Sequence, residues 1–108
     1  MRTANVNKMN SLDVLVNALC RDFPRRERAI KEGVLSRRTL TEFRYLNFKI
    51  LEATLEVVEE QYARLYIKEI GENIGYAKTE TEGLSEISYK ARKKNIRENI
   101  ARVLHLSD

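Results

Sequence analysis

Apolar residues recur every three to four positions along most of the chain, and one proline and four glycines punctuate that rhythm. Leu12, Leu15, Val16, Leu19 and Phe23 share one side of a first helix, capped by Ser11 and running to about Cys20. Asp22 and Pro24 mark a restart, an acidic cap and a proline near the first helical position. The short helix that follows, RRERAIKE, stops at Gly33. Ser36 or Thr39 starts the next helix, and Thr39 with Glu42 has capping-box spacing. Its stripe is Leu40, Phe43, Leu46, Ile50, Leu51, Leu55 and Val58.

No glycine or proline then occurs before Gly71. An unbroken helix over that span would exceed about 50 Å at about 1.5 Å per residue, wider than so small a domain, so a break is expected near residues 59–61. The segment QYARLYIKEIGENIG forms a separate helix with Leu65, Ile67, Ile70 and Ile74 facing inward. GYAKTETEG follows as a loop of roughly eight residues. A last helix starts at Ser85 and runs to about Leu104. No stretch alternates convincingly as a strand would. The expected fold class is all-α, a small domain of four to five helices.

A chain of 108 residues makes one domain with a modest core. Its hydrophobic content of 43% and charged content of 33% suit a folded chain rather than a disordered one. No apolar run approaches the length of a membrane span. Asp13 interrupts the short apolar run near the start, which argues against a signal peptide. The lone Cys20 cannot close an internal disulfide. Both features lead to an expected cytoplasmic location, without a membrane partner.

The net charge of +4 is unevenly spread. Residues 21–49 carry a balance of +5, residues 50–84 reverse it to −5, and residues 85–108 return to +3. Such segregation can present a basic face to a polyanion, although any single block also reads as ordinary solvated surface.

The last helix is where this matters most. Ser85 is its cap, and Glu86 and Ser88 suit its first turn. Tyr89, Ile96, Ile100 and Val103 fall on one face, while Lys90, Lys93, Lys94 and Arg97 are expected on the opposite side with Arg92 at a flank. The preceding I-G-E-N-I-G at 70–75 fits the positioning helix of a helix-turn-helix, with a tiny residue, Gly71, where two helices cross closely. Ile70 and Ile74 would lock that pair. LSEISYKARK, from Leu84, resembles the opening of a recognition helix, with Leu84 as the turn hydrophobe and Tyr89 as the inward anchor.

Over about residues 36–106 the chain resembles the last DNA-binding region of sigma factors, and more closely the small sigma-like regulators of phages and prophages such as the ArpU family. RYLNFKI at 44–50 adds to that likeness. The resemblance implies a sigma-like helix-turn-helix region over 36–108, which with the N-terminal basic helices read over 1–35 is expected to form one compact domain. It implies a transcription regulator that binds double-stranded DNA, with RNA polymerase as a further partner; a second copy is a further expected partner, from the stripe of helix 39–58. Glu86, Ser88 and Lys90 would reach base edges. Lys93, Lys94 and Arg97 would grip phosphates, Ser85 would add a hydroxyl contact and Arg92 would stand beside them. The GYAKTETEG connection is longer than a standard turn of this motif, which has about three or four residues. The basic segment RDFPRRER at 21–28, with Arg37 and Arg38, either extends the footprint or is solvated surface.

Little else points to chemistry. His105 has no Cys or carboxylate at ligand spacing, so no metal is expected. Cys20 reads as a small core residue. No nucleophile–base pair, phosphate-cradling glycine loop or carboxylate pair occurs, so neither an enzyme nor a cofactor is expected. Tyr62, Tyr66 and Tyr76 read as core, and the acidic run from Glu52 to Glu60 as solvated surface. Two further readings stand beside the regulator: a DNA-packaging or replication accessory protein using the same motif, and a helical module that binds protein. Under any of them the wide stripe of helix 39–58 could serve as a dimer or partner surface.

Overall fold

A computed structural model describes residues 10–79 and 83–106. Within them the chain is all-helical. Its helices are α1 (Ser11–Arg21), α2 (Phe23–Glu32), α3 (Arg37–Leu55), α4 (Glu60–Gly71) and α5 (Glu86–Val103), with a 3-10 turn at Tyr76–Lys78. The GYAKTETEG loop is described only at its two ends. Its residues 80–82 lie outside the described residues, as do residues 1–9 of the N-terminal segment and the final two residues.

Local chemistry sets the boundaries. Asn10, one residue ahead of the expected Ser11, caps α1 by accepting the Asp13 amide at 2.8 Å. Asparagine and serine are comparable caps, and here the longer asparagine side chain reaches the free amide. Ser36 caps α3 through the Thr39 amide at 3.3 Å, and Ser85 caps α5 through the Ser88 amide at 3.2 Å. Gly33 ends α2 in the left-handed region at φ 72°. The expected break is present, because α3 stops at Leu55 and α4 restarts at Glu60.

α4 ends sooner than its apolar pattern suggests. Asn73 turns left-handed at φ 55°, and the amides of Ile74 and Asn73 donate to the carbonyls of Glu69 and Ile70 at 2.9 and 3.2 Å. This is a Schellman turn with asparagine in the glycine position. Ile74 therefore lies outside the helix, half-buried. His105 closes α5 the same way at φ 58°, with the Leu106 amide on the Ala101 carbonyl at 2.8 Å.

The core draws on every helix: Val16 and Cys20 from α1, Phe23 from α2, Ile50 from α3, Tyr66, Ile67 and Ile70 from α4, and Tyr89, Ile96 and Ile100 from α5. α1 packs against α4 and α5, while α3 packs against α2, α4 and α5. The stripes predict Leu15 and Leu55 inside, yet both are exposed. The buried lines of α1 and α3 run through Val16–Cys20 and Ile50–Ala53, rotated away from them.

Gly71 has a different neighbour from the one its motif suggests. A Cβ built there would lie 2.6 Å from the Arg21 backbone nitrogen and 2.7 Å from its Cα. The close approach that glycine permits is thus between the C-terminal ends of α4 and α1, not between α4 and α5. Beside this junction Arg26 is buried. Its Nε donates to Asn47 Oδ1 and its Nη2 to the Leu19 carbonyl, each at 2.6 Å, and Asn47 Nδ2 donates to the Phe23 carbonyl at 3.1 Å. That network joins α1, α2 and α3 and leaves the buried guanidinium hydrogen-bonded.

Candidate nucleic-acid interface

α5 meets the body along Tyr89, Lys93, Ile96 and Ile100, spaced by four, three and four residues, and all four are buried. Tyr89 stacks on Tyr66 of α4 with ring centroids 5.9 Å apart and lies 5.8 Å from Tyr76. Its hydroxyl donates to the buried Glu69 carboxylate at 2.7 Å, and the Thr79 hydroxyl donates to the same oxygen at 2.6 Å. Tyr76 in turn donates its hydroxyl to the Leu84 carbonyl at 2.7 Å, one residue before the cap of α5. Large aromatic side chains therefore hold α4 and α5 together where a standard helix-turn-helix would use close backbone contact.

Lys93 is the clearest departure from expectation. Periodicity predicts that it turns outward, yet it is buried, donates from Nζ to the Ile74 carbonyl at 2.6 Å, and lies 5.0 Å from the centre of the Tyr89 ring. Burial pulls its pKa down from 10.5 to about 8, helped by the positive charges of Arg97 and Lys90 and opposed by Glu69. Two other cations also turn to the body. Arg97, half-buried, donates from Nε to Asn17 Oδ1 at 3.0 Å and so ties α5 to α1. Arg92, half-buried, donates to the Val57 carbonyl at 3.2 Å. Both are anchored by their heads, because the flank of α5 faces polar groups of α1 and of the turn after α3.

The remaining predicted residues face water. Ser85, Glu86, Ser88, Lys90 and Lys94 are all exposed. Ser85 Oγ serves as the cap and also lies 3.1 Å from Ser88 Oγ. Lys90 pairs with Glu86 at 2.7 Å across one helical turn. Lys94 has no ion pair among the described residues. Sequence reasoning misses Ile87, which is 82% exposed on the first turn of α5. Its position off the 89, 93, 96, 100 line is the available signal. Together with Ala91 and Asn95, also exposed, it extends the exposed surface on the N-terminal half of α5, where Ser88, Ala91 and Asn95 line a shallow depression with Glu56 and Val57.

The second basic block divides as well. Arg26 is structural, Arg25 pairs with Asp22 at 3.1 Å and Arg38 with Glu42 at 3.6 Å. Arg28, Lys31, Arg37 and Arg44 are exposed without an ion pair among the described residues. Cys20 is buried, and burial lifts its thiol to about 12, which keeps it protonated. No group of three potential metal ligands occurs among the described residues, and no described helix is long and apolar enough to cross a membrane. No protein-family model, curated protein or solved structure matches the chain.

Proposed function

We propose that this protein is a sequence-specific double-stranded-DNA-binding regulator of phage or prophage type, reading the major groove with the first half of α5. The observation that carries the reading is the solvent exposure of that half-helix. From Ser85 to Ala91 every residue but Tyr89 is exposed, while Tyr89 and Lys93 fix the inner side to the core. A helix end that turns Ser85, Glu86, Ser88 and Lys90 outward, beside the apolar Ile87, offers polar groups of the kind that read base edges in a major groove. Glu86, Ser88 and Lys90 are the candidate base contacts, and Lys94 is the candidate phosphate contact. Breaking the exposed Glu86–Lys90 pair costs little, about 1 kcal/mol or less, so Lys90 can exchange its partner for DNA. RNA polymerase and a second copy of the chain are the further partners under this reading.

Selection of bound duplexes from a random library, followed by gel-shift titration over a range of salt, tests it. Enrichment of one sequence and a log–log salt slope of several units are expected. Lys90→Ala with Lys94→Ala should weaken binding and reduce the slope by about 0.9 for each phosphate that is no longer neutralised. Absence of retained DNA rejects the proposal, and retention without sequence preference favours a packaging or replication accessory role.

One observation favours a protein-binding module instead. α3 exposes Tyr45, Phe48 and Leu55 at 49%, 61% and 42% on its outer side. Concentration-dependent self-association in the absence of any DNA binding would support that reading.

A further inference from the structure

Between α2 and α3 lies an open groove of about 580 Å³. Pro24 and Ile30 contribute apolar surface to its lining, which also includes Asn47, Arg28, Lys31 and Arg44. Asn47 is not available to a ligand, since it is committed to Arg26 and to the Phe23 carbonyl. The groove's one acidic residue, Glu27, is held by Arg64 in a two-pronged pair with contacts of 2.7 and 3.1 Å. The three cations are exposed and have no ion pair among the described residues. Elsewhere on this surface exposed cations do find carboxylates, as Arg25, Arg38 and Lys90 do. The sequence supplies the charge locally, since α2 and α3 fall within the block of residues 21–49 that carries +5.

We infer that this groove docks an acidic, amphipathic segment of a partner protein. Such a segment sets an apolar side chain on Pro24 and Ile30 and places flanking carboxylates against Arg28, Lys31 and Arg44. Charge complementarity selects the occupant's sign, and the apolar part of the lining, Pro24 and Ile30, selects its class. A duplex presents a row of phosphates with nothing apolar to set against Pro24 and Ile30, whereas a leucine or phenylalanine between acidic residues satisfies both features. The interaction is independent of α5 and of the DNA reading.

The test uses the full chain and a random-peptide library displayed on phage. Enriched sequences are expected to carry Asp or Glu around Leu, Ile or Phe. The consensus peptide, made with a fluorescent label, should bind in an anisotropy titration. The variant R28Q/K31Q/R44Q should weaken it by about tenfold or more, the combined effect of three exposed ion pairs. A charge-reversed variant, R28E/K31E/R44E, should prefer the same peptide with Lys in place of its carboxylates. Because these side chains are exposed and unpaired among the described residues, the melting temperature should stay close to that of the parent. Amide shifts of Ile30 and Asn47 on titrating the unaltered protein supply a reading that needs no variant. The inference is overturned by failure to enrich peptides, by enrichment without acidic bias, by unchanged affinity in the glutamine variant, or by shifts mapping elsewhere. It is equally overturned if the glutamine variant loses duplex DNA while no peptide binds.

Discussion

Lys93 occupies a position that a hydrophobic side chain would fill in a simpler helix, four residues after Tyr89 and three before Ile96. Its spacing marks a seam position, while its charge points the other way. Polar residues on an apolar line are buried when partners lie within reach, and the Ile74 carbonyl here comes from a turn whose conformation the local sequence does not announce. Neutral Lys93 keeps that hydrogen bond, since an amine still donates. Its depressed pKa means that between about 8 and 10.5 the unfolded chain holds a proton that the folded chain lacks, so stability rises with pH across that window. Cys20 and Tyr89 act in the other direction above their ordinary values of 9.0 and 10.0, because folding holds both protonated to about 12. Urea unfolding of the parent and of Lys93→Met from pH 7.5 to 10 separates these effects. The difference in stability should move toward the parent as pH rises, by at most about 1.4 kcal/mol per pH unit. A pH-independent difference would contradict the buried amine. At Gly71 an alanine meets backbone atoms of Arg21 and Cys20 at 2.6–2.9 Å. Gly71→Ala should therefore destabilise the protein by about 2–3 kcal/mol in the same assay, although alanine ordinarily gains up to about 1 kcal/mol over glycine in a helix. A neutral or stabilising effect would mean that α1 and α4 do not touch there.

At the scale of elements, the helices are largely legible because their starts are written in side chains that can act locally. Ser36 and Ser85 cap as expected, Gly33 stops α2, and the apolar stripe of 40–58 yields a helix that ends near its predicted break. The end of α4 is not legible, since asparagine enters the left-handed region less readily than glycine and Gly71 and Gly75 both look like better stops. The stop at Asn73 releases Ile74 to meet Lys93 and starts the connection that Tyr76, Thr79 and Glu69 fasten to Tyr89. Asn73→Gly should stabilise by about 0.5 kcal/mol by relieving the left-handed backbone, while Asn73→Ala should destabilise by about 1 kcal/mol. Thermal melts read both signs. A stabilised alanine variant would indicate that α4 continues as a regular helix through this point. The candidate site is half legible. The cap and the outward Glu86, Ser88, Lys90 and Lys94 follow from helical spacing, whereas the inward turns of Arg92, Lys93 and Arg97 depend on carbonyls and amides from three other segments.

For the whole molecule, the first two helices precede residues 36–106, and their side chains complete the core. Val16 and Cys20 are fully buried, Phe23 nearly so, and α1 contacts both α4 and α5. Removing them would strip Gly71 of the backbone it packs against and leave Arg97 without Asn17 and Asn47 without Arg26. Long-range packing of this kind has no periodic signature, because each helix carries a stripe whichever neighbour receives it. Burying three large or medium apolar side chains contributes roughly 5–8 kcal/mol, comparable with the whole stability of a small domain. A fragment spanning residues 36–108 should therefore lack a cooperative thermal transition and show collapsed amide dispersion, whereas the full chain unfolds in one step with coincident far-ultraviolet and tyrosine signals. Adding residues 10–35 in trans should restore part of the helical signal if the interface forms between separate chains. A fragment that melts cooperatively on its own would mean that residues 36–108 are self-sufficient and that α1 and α2 merely lean on them.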